Sequence, residues 1–145
     1  RQTQEMFMNI LMLEHGGYPL PITRELIEVL EEESERRDFD PTKTGIIFSF
    51  KAPAYTPEAG GFHPVEIALG TNLRLLYITD FAYYGQPPFA ELEKEIDFDF
   101  SGWTLSHQGE EYPIEEQAEL YEAWQYNFIA YYRMGAYEIS VSELY

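Results

Sequence analysis

Acid–base or metal chemistry in this 145-residue chain would have to come from three histidines and twenty-six carboxylates, because there is no cysteine. His63 and Glu66 stand three residues apart, and Asp80 follows fourteen residues after Glu66. A base beside a carboxylate can move a proton or hold a divalent cation. On a strand, however, residues i and i+3 face opposite ways, so His63 and Glu66 converge only if Pro64 bends the chain. Without that bend, Gly60-Gly61 turns the chain, Pro64 opens a strand and His63 bonds to the loop. His63, Asp80 and Ser49 are also the residue types of a hydrolase triad, but no Gly-x-Ser-x-Gly elbow accompanies them. His15, His63 and His107 lack the spacing of a zinc site, and neither glycine-rich phosphate loop occurs. The sequence therefore names no catalytic residue, no metal and no cofactor.

Two further groupings suit binding rather than catalysis. Glu91, Glu93, Glu95, Asp97 and Asp99 recur with period two. On one continuous strand they would line a single face at ~6.6 Å spacing, ready for a cation or a basic partner. The order of an EF-hand loop is absent. Just before them, Phe81, Tyr83, Tyr84 and Phe89 fall in a stretch broken by Gly85, Pro87 and Pro88, which reads as an aromatic loop over 81–90. Rings beside charge are frequent at interfaces, since they supply contact area at little entropic cost. The same rings could equally fold back as a lid on the core.

The overall charge narrows the partners. A formal net charge of −17 repels phosphate, so nucleic acid and anionic membrane are disfavoured and a basic protein remains open. The acidity is concentrated in three segments, 21–40, 81–100 and 101–120. Absence of cysteine excludes disulfides and thiolate chemistry and fits the cytoplasm. The apolar stretch Met6–Leu13 is too short to span a bilayer, which takes ~20 residues. A chain of this size can bury ~69% of its surface, and 45% apolar residues suffice for a core in one domain spanning 1–145.

The elements that must position these groups can be read from periodicity. Met6, Ile10 and Leu13 fit a short helix in an N-terminal extension, residues 1–15. Thr23 caps a helix over 24–37, with Ile22 and Ile27 as a hydrophobic staple and Leu26, Val29 and Leu30 as its buried stripe. Beyond Leu30 nothing apolar follows, so that end should project into water. Strands are expected at 46–51, 63–69, 73–80 and 96–101. The middle pair forms a hairpin closed by a left-handed Asn72, pairing Leu69 with Leu73, Ile67 with Leu75 and Val65 with Tyr77. In the fourth, Ile96, Phe98 and Phe100 point inward, Asp97 and Asp99 outward. A long helix over 113–134 gathers Ile114, Ala118, Tyr121, Trp124, Phe128 and Tyr132 on one side, and 137–141 is a last strand. The expected fold is α+β: a mainly antiparallel sheet of about four to five strands with two main helices on one face.

Three segments carry a family likeness. With Gly60-Gly61-Phe62-His63-Pro64-Val65-Glu66-Ile67, Tyr77-Ile78-Thr79-Asp80-Phe81 and Ile96-Asp97-Phe98-Asp99-Phe100, the chain resembles the bacterial family known as domain of unknown function 2787. The likeness spans roughly residues 20–142 and implies a small α+β domain without an assigned activity. Three functional readings stay open. The preferred one is a noncatalytic protein-binding or regulatory module that engages a basic partner. The others are a small-molecule or carbohydrate binder using 81–89, and an enzyme centred on His63 and Asp80. Candidate binding residues are His63, Glu66, Asp80, Phe81, Tyr83, Tyr84, Phe89, Asp97 and Asp99.

Self-repulsion of this much negative charge opposes compaction, and ~0.15 M salt screens it beyond ~8 Å. Sodium chloride should therefore raise the melting temperature near neutral pH. A flat or falling midpoint in a calorimetric salt series would show that ion pairs outweigh the repulsion.

Overall fold

The computed structural model describes residues 17–37, 45–71 and 73–144. The helix expected within 1–15 and the turn position assigned to Asn72 lie outside those residues. The elements run α1 (Arg24–Arg36), β1 (Gly45–Lys51), β2 (Val65–Leu69), β3 (Leu75–Tyr84), β4 (Glu91–Asp99), β5 (Thr104–His107) and β6 (Glu110–Pro113). A 3₁₀ turn (Ile114–Glu116), α2 (Ala118–Arg133) and β7 (Glu138–Leu144) complete the order. The strands form one sheet in the order β6-β5-β4-β3-β2-β1-β7, and every neighbouring pair is antiparallel.

The class is α+β with an open antiparallel sheet, as read from the sequence, but the sheet has seven strands rather than four to five. The two additional strands are β5 and β6, a short hairpin whose polar residues lack an apolar alternation. In length rather than number, β3 also differs: it continues through Tyr84 where a loop was expected. The turn to β4 occupies only 85–90, because Phe81–Tyr84 pair with Glu91–Lys94. At the other end, Pro113 closes β6 in extended backbone, so the expected helix over 113–134 begins only at Ala118.

The β2–β3 register also differs from expectation. Leu69 pairs with Leu75, Ile67 with Ile78 and Val65 with Asp80, across an irregularity between Ala68 and Leu69. Leu73 takes the left-handed conformation, φ +61°. This longer connection sends Ile78 rather than Tyr77 into the core, and Asp80 onto the same face as Val65. Tyr18 holds the shifted strand start by accepting the Leu75 N–H at 2.8 Å.

Both helices pack on one face of the sheet. Leu26, Ile27, Val29 and Leu30 of α1 and Tyr121, Phe128 and Tyr132 of α2 join Ile46, Phe48, Phe50, Ile67, Ile78 and Phe98 in one buried cluster. Phe50 meets Phe128 edge-on at 5.0 Å, and Phe98 meets Tyr121 likewise at 5.1 Å. Such T-shaped contacts suit the ring quadrupole. Trp124 stacks on Phe128 with planes only 8° apart. None of the described helices is long and apolar enough to cross a membrane.

Two buried polar side chains fasten the helices together. Gln125, 2 % exposed on α2, accepts the Thr23 N–H and donates to the Pro21 carbonyl, both at 3.1 Å. It thereby binds the α1 N-terminus, where Thr23 caps the Leu26 N–H as expected. Glu33 corrects the view that α1 beyond Leu30 lies in water: it is 1 % exposed. It accepts hydrogen bonds from Arg37 at 2.6 Å and from the Tyr132 hydroxyl at 2.5 Å. Arg37 also donates to the backbone carbonyl of Ile139 in β7. The physical reason is that Arg37 and Tyr132 satisfy the carboxylate, which removes the need for water.

Removing one member of a buried pair strands the others. Glu33→Ala should therefore cost ~3 kcal/mol in chemical denaturation, toward the lower end for such pairs because Arg37 is partly exposed. A loss below ~1 kcal/mol would show that water replaces the carboxylate at no great penalty.

Candidate functional site

The site is built where the connection between β1 and β2 meets α2. Gly60 and Gly61 both have positive φ, and a Cβ on Gly61 would press against Tyr55 at 3.2 Å. That close approach seats the loop over the edge of β3. There the Tyr55 hydroxyl accepts the Tyr83 N–H at 2.9 Å, and Phe81 N–H bonds to the Pro64 carbonyl. His63, just before β2, is thus delivered against Asp80 of β3, with Nδ1 to Oδ1 at 2.7 Å. The other carboxylate oxygen accepts the indole N–H of Trp124 at 2.9 Å. Asp80 therefore joins loop, sheet and helix through one group.

These residues floor a half-open cleft of about 260 Å³. Phe62, Trp124, Phe128, Tyr131 and Tyr137 supply rings to its walls, and Asn127 lines it from an exposed position on α2. The hydrogen bond to Asp80 raises the His63 pKa above its ordinary value; burial pulls it down, while the charges of Asp80 and Glu95 push it up. The Tyr137 hydroxyl is pushed well above its usual range by burial, helped by the Asp80 charge.

The structure divides the candidate residues between several places. His63 and Asp80 meet. Glu66 lies on the opposite sheet face and accepts a hydrogen bond from Tyr77, so it does not converge with His63. Ser49 pairs with Glu66, and Glu66 with Thr79, so that serine is on the face away from Asp80 and no triad forms. Among the described residues no three His, Asp or Glu side chains group as metal ligands.

The acidic stripe does not lie on one face. Opposite Asp80–Phe81, β4 presents Ile96 and then Lys94, leaving Glu95 as a bulge. An extra residue reverses the alternation beyond it. Asp97 and Asp99 therefore face away from the helices, whereas Glu93 and Glu91 pair with Ala82 and Tyr84 and share the side of Asp80. Asp97 accepts from the Thr79 hydroxyl at 2.7 Å, and Asp99 from the backbone of Ser101 and Gly102. With Glu66, Tyr77 and Phe81 they border a second depression of about 320 Å³ on the uncovered face.

Nor is there an aromatic loop. Phe81, Tyr83 and Tyr84 are strand residues; Tyr83 packs on Tyr55, and Tyr84 has a buried hydroxyl without a partner among the described residues. Phe89 alone stands out from the turn, 84 % exposed. The sequence reading missed Phe62, Asn127, Tyr131 and Tyr137 as site residues and placed Trp124 only in the core. A signal did exist: Trp124, Phe128 and Tyr131 are spaced for one helix face, and an indole needs a partner for its N–H.

A group whose folded pKa is raised contributes stability that is complete below its unfolded pKa and disappears as pH rises through the folded value. For His63 that window opens near ~6.5, the ordinary histidine value, and extends upward. Relative to His63→Gln, the natural chain should be more stable at about pH 5.5, and the difference should shrink by about pH 8. A difference that stays constant or grows with pH in paired thermal melts would refute a charged His63–Asp80 pair.

Comparison with known proteins agrees with this fold. A family described as "Protein of unknown function (DUF2787)" matches residues 24–142. A solved hypothetical protein from the VSP-II pathogenicity island of Vibrio cholerae is 34% identical with a TM-score of 0.73, covering 87% of this chain and 97% of its own. A conserved hypothetical protein from the VPI-2 island of Vibrio cholerae, described as sharing structural homology with the human P32 protein, is 32% identical. It has a TM-score of 0.73 and covers 87% of this chain and 98% of its own. No curated protein matches the sequence. With that span of residues and those neighbours, the chain belongs to the DUF2787 family of proteins of unknown function.

Proposed function

We propose that this protein is a noncatalytic binding module, and that its site is the aromatic cleft over His63, Asp80 and Trp124. The observation that carries this reading is a buried carboxylate with both oxygens held by donors, set at the floor of a ring-lined cavity. Pockets with apolar walls and a few fixed polar groups are the usual form of a ligand site. Catalysis has less support: among the described residues no serine, threonine or lysine lines the cleft beside the His63–Asp80 pair. The volume, about 260 Å³, falls just below the ~300–1,000 Å³ of drug-sized sites and suits one compact group of a ligand or partner. The net charge of −17 adds long-range attraction for positively charged binders.

The test is a fragment titration followed by backbone amide shifts. Perturbations should gather on Phe62, Trp124, Asn127 and Tyr131. Asn127→Trp places a bulky ring at the mouth on an exposed helix position, so it should abolish those shifts while changing stability by no more than ~0.5 kcal/mol. Fragments that bind this variant as well as the natural chain, or that perturb other surfaces only, would sink the reading.

A further inference from the structure

The chemistry of the cleft is more specific than its shape. Five aromatic residues line it, and the face of an aromatic ring is electronegative. Asp80 adds a carboxylate at the floor, and among the described residues neither lysine nor arginine lines the cleft. Glu95 contributes further negative charge toward His63. Local and global fields thus agree in sign, since the whole chain carries −17.

The form of the cation follows from hydrogen-bond accounting. A primary ammonium or a guanidinium entering the cleft would have to replace its water with acceptors. Asp80 is 8 % exposed and each of its oxygens already accepts one hydrogen bond, from His63 and from Trp124, so an entering donor would have to share a partly used, largely buried acceptor. A fully alkylated ammonium donates no hydrogen bond, loses little hydration and draws its attraction from ring faces and unpaired charge. Resting on the cleft reading above, we infer that the cleft binds a trialkylammonium headgroup, held against Trp124, Tyr131 and Tyr137 over Asp80. The chemistry is the same whether the headgroup belongs to a free small molecule or to a trimethylated lysine.

His63 then acts as a regulator. It faces Asp80 from β3, Glu95 from β4, Tyr55 from its own loop, and the cleft it shares with Tyr131 and Tyr137. As imidazolium it neutralises Asp80 and repels an incoming cation. As neutral imidazole it leaves the carboxylate charge for the ligand. Cation binding and protonation of His63 oppose each other, so affinity rises with pH.

The experiment titrates choline, its neutral carbon isostere 3,3-dimethylbutan-1-ol, and benzoate, at about pH 6 and about pH 8. Emission of Trp124 is the readout, in a Trp103→Phe background that removes the exposed second indole. Choline should bind roughly 10-fold more tightly than the isostere, and more tightly at the higher pH. His63→Gln should lose the pH dependence of choline binding. A trimethyllysine tripeptide against its unmethylated form distinguishes the source: tighter binding than choline, with the unmethylated form weak, assigns a protein partner, and the reverse order against choline assigns a free metabolite. Equal binding of choline and isostere overturns the cation assignment and leaves a cleft that binds without regard to charge. Benzoate binding that strengthens on acidification overturns it in favour of an anion. If none of the three alters Trp124 emission while fragments still perturb the cleft, the headgroup assignment fails and the binding reading survives.

Discussion

Asp80 is a carboxylate within a sheet, 8 % exposed, and the arrangement around it follows from the need to keep it satisfied. A buried ionised group without partners costs several kcal/mol or changes protonation state. Here the two donors come from opposite directions in the chain: an imidazole from the loop before β2 and an indole from the middle of α2. Neither element can move without leaving an oxygen bare. The same two bonds hold open the space between loop and helix that becomes the cleft. The cleft and the tertiary cohesion around it are therefore two aspects of one electrostatic requirement.

Periodicity revealed those parts of the fold where one residue pattern persists for several turns or pleats. The stripe on α1, its Thr23 cap, the alternation Ile96–Phe98–Phe100 and the apolar face of α2 are all of this kind, because burial demands them locally. Strand pairing is different. Its register depends on where a loop closes: pairing starts two residues later than in the three-residue hairpin, at Leu75, and the irregularity at Ala68–Leu69 adds one more, which sets Ile78 opposite Ile67 and Asp80 opposite Val65. The β5–β6 hairpin is too short and polar to register. Glu33 and Gln125 were invisible for another reason: nothing in the neighbouring sequence shows that Tyr132 or Pro21, about a hundred residues away, will satisfy them.

The site was partly legible in the same sense. Gly60-Gly61-Phe62-His63 and Asp80 could be picked out as unusual, and the structure joins them. The walls could not, since Trp124, Phe128 and Tyr131 look like any amphipathic helix face until a loop is laid across it. The acidic run illustrates the converse. Period two from Glu91 to Asp99 suggests one surface, yet a single Glu95 left out of the strand pairing sends Asp97 and Asp99 to the side opposite Glu91 and Glu93. Sequence spacing describes a flat strand; the bulge is what the twisted sheet makes of it.

The guanidinium of Arg37 lies over the Ile139 carbonyl on β7, the outer strand beside β1. An open strand edge is a template for another chain, and proteins guard it with charge or cover. Here the guard is the residue that caps a helix, held in place by a carboxylate from the preceding turn. Fraying of that helix end uncovers backbone that can recruit a second strand, long before the core opens. Resistance to aggregation is then governed by the free energy of a local opening rather than by global stability. One helix terminus thus links the folding of α1 to the colloidal behaviour of the whole sheet.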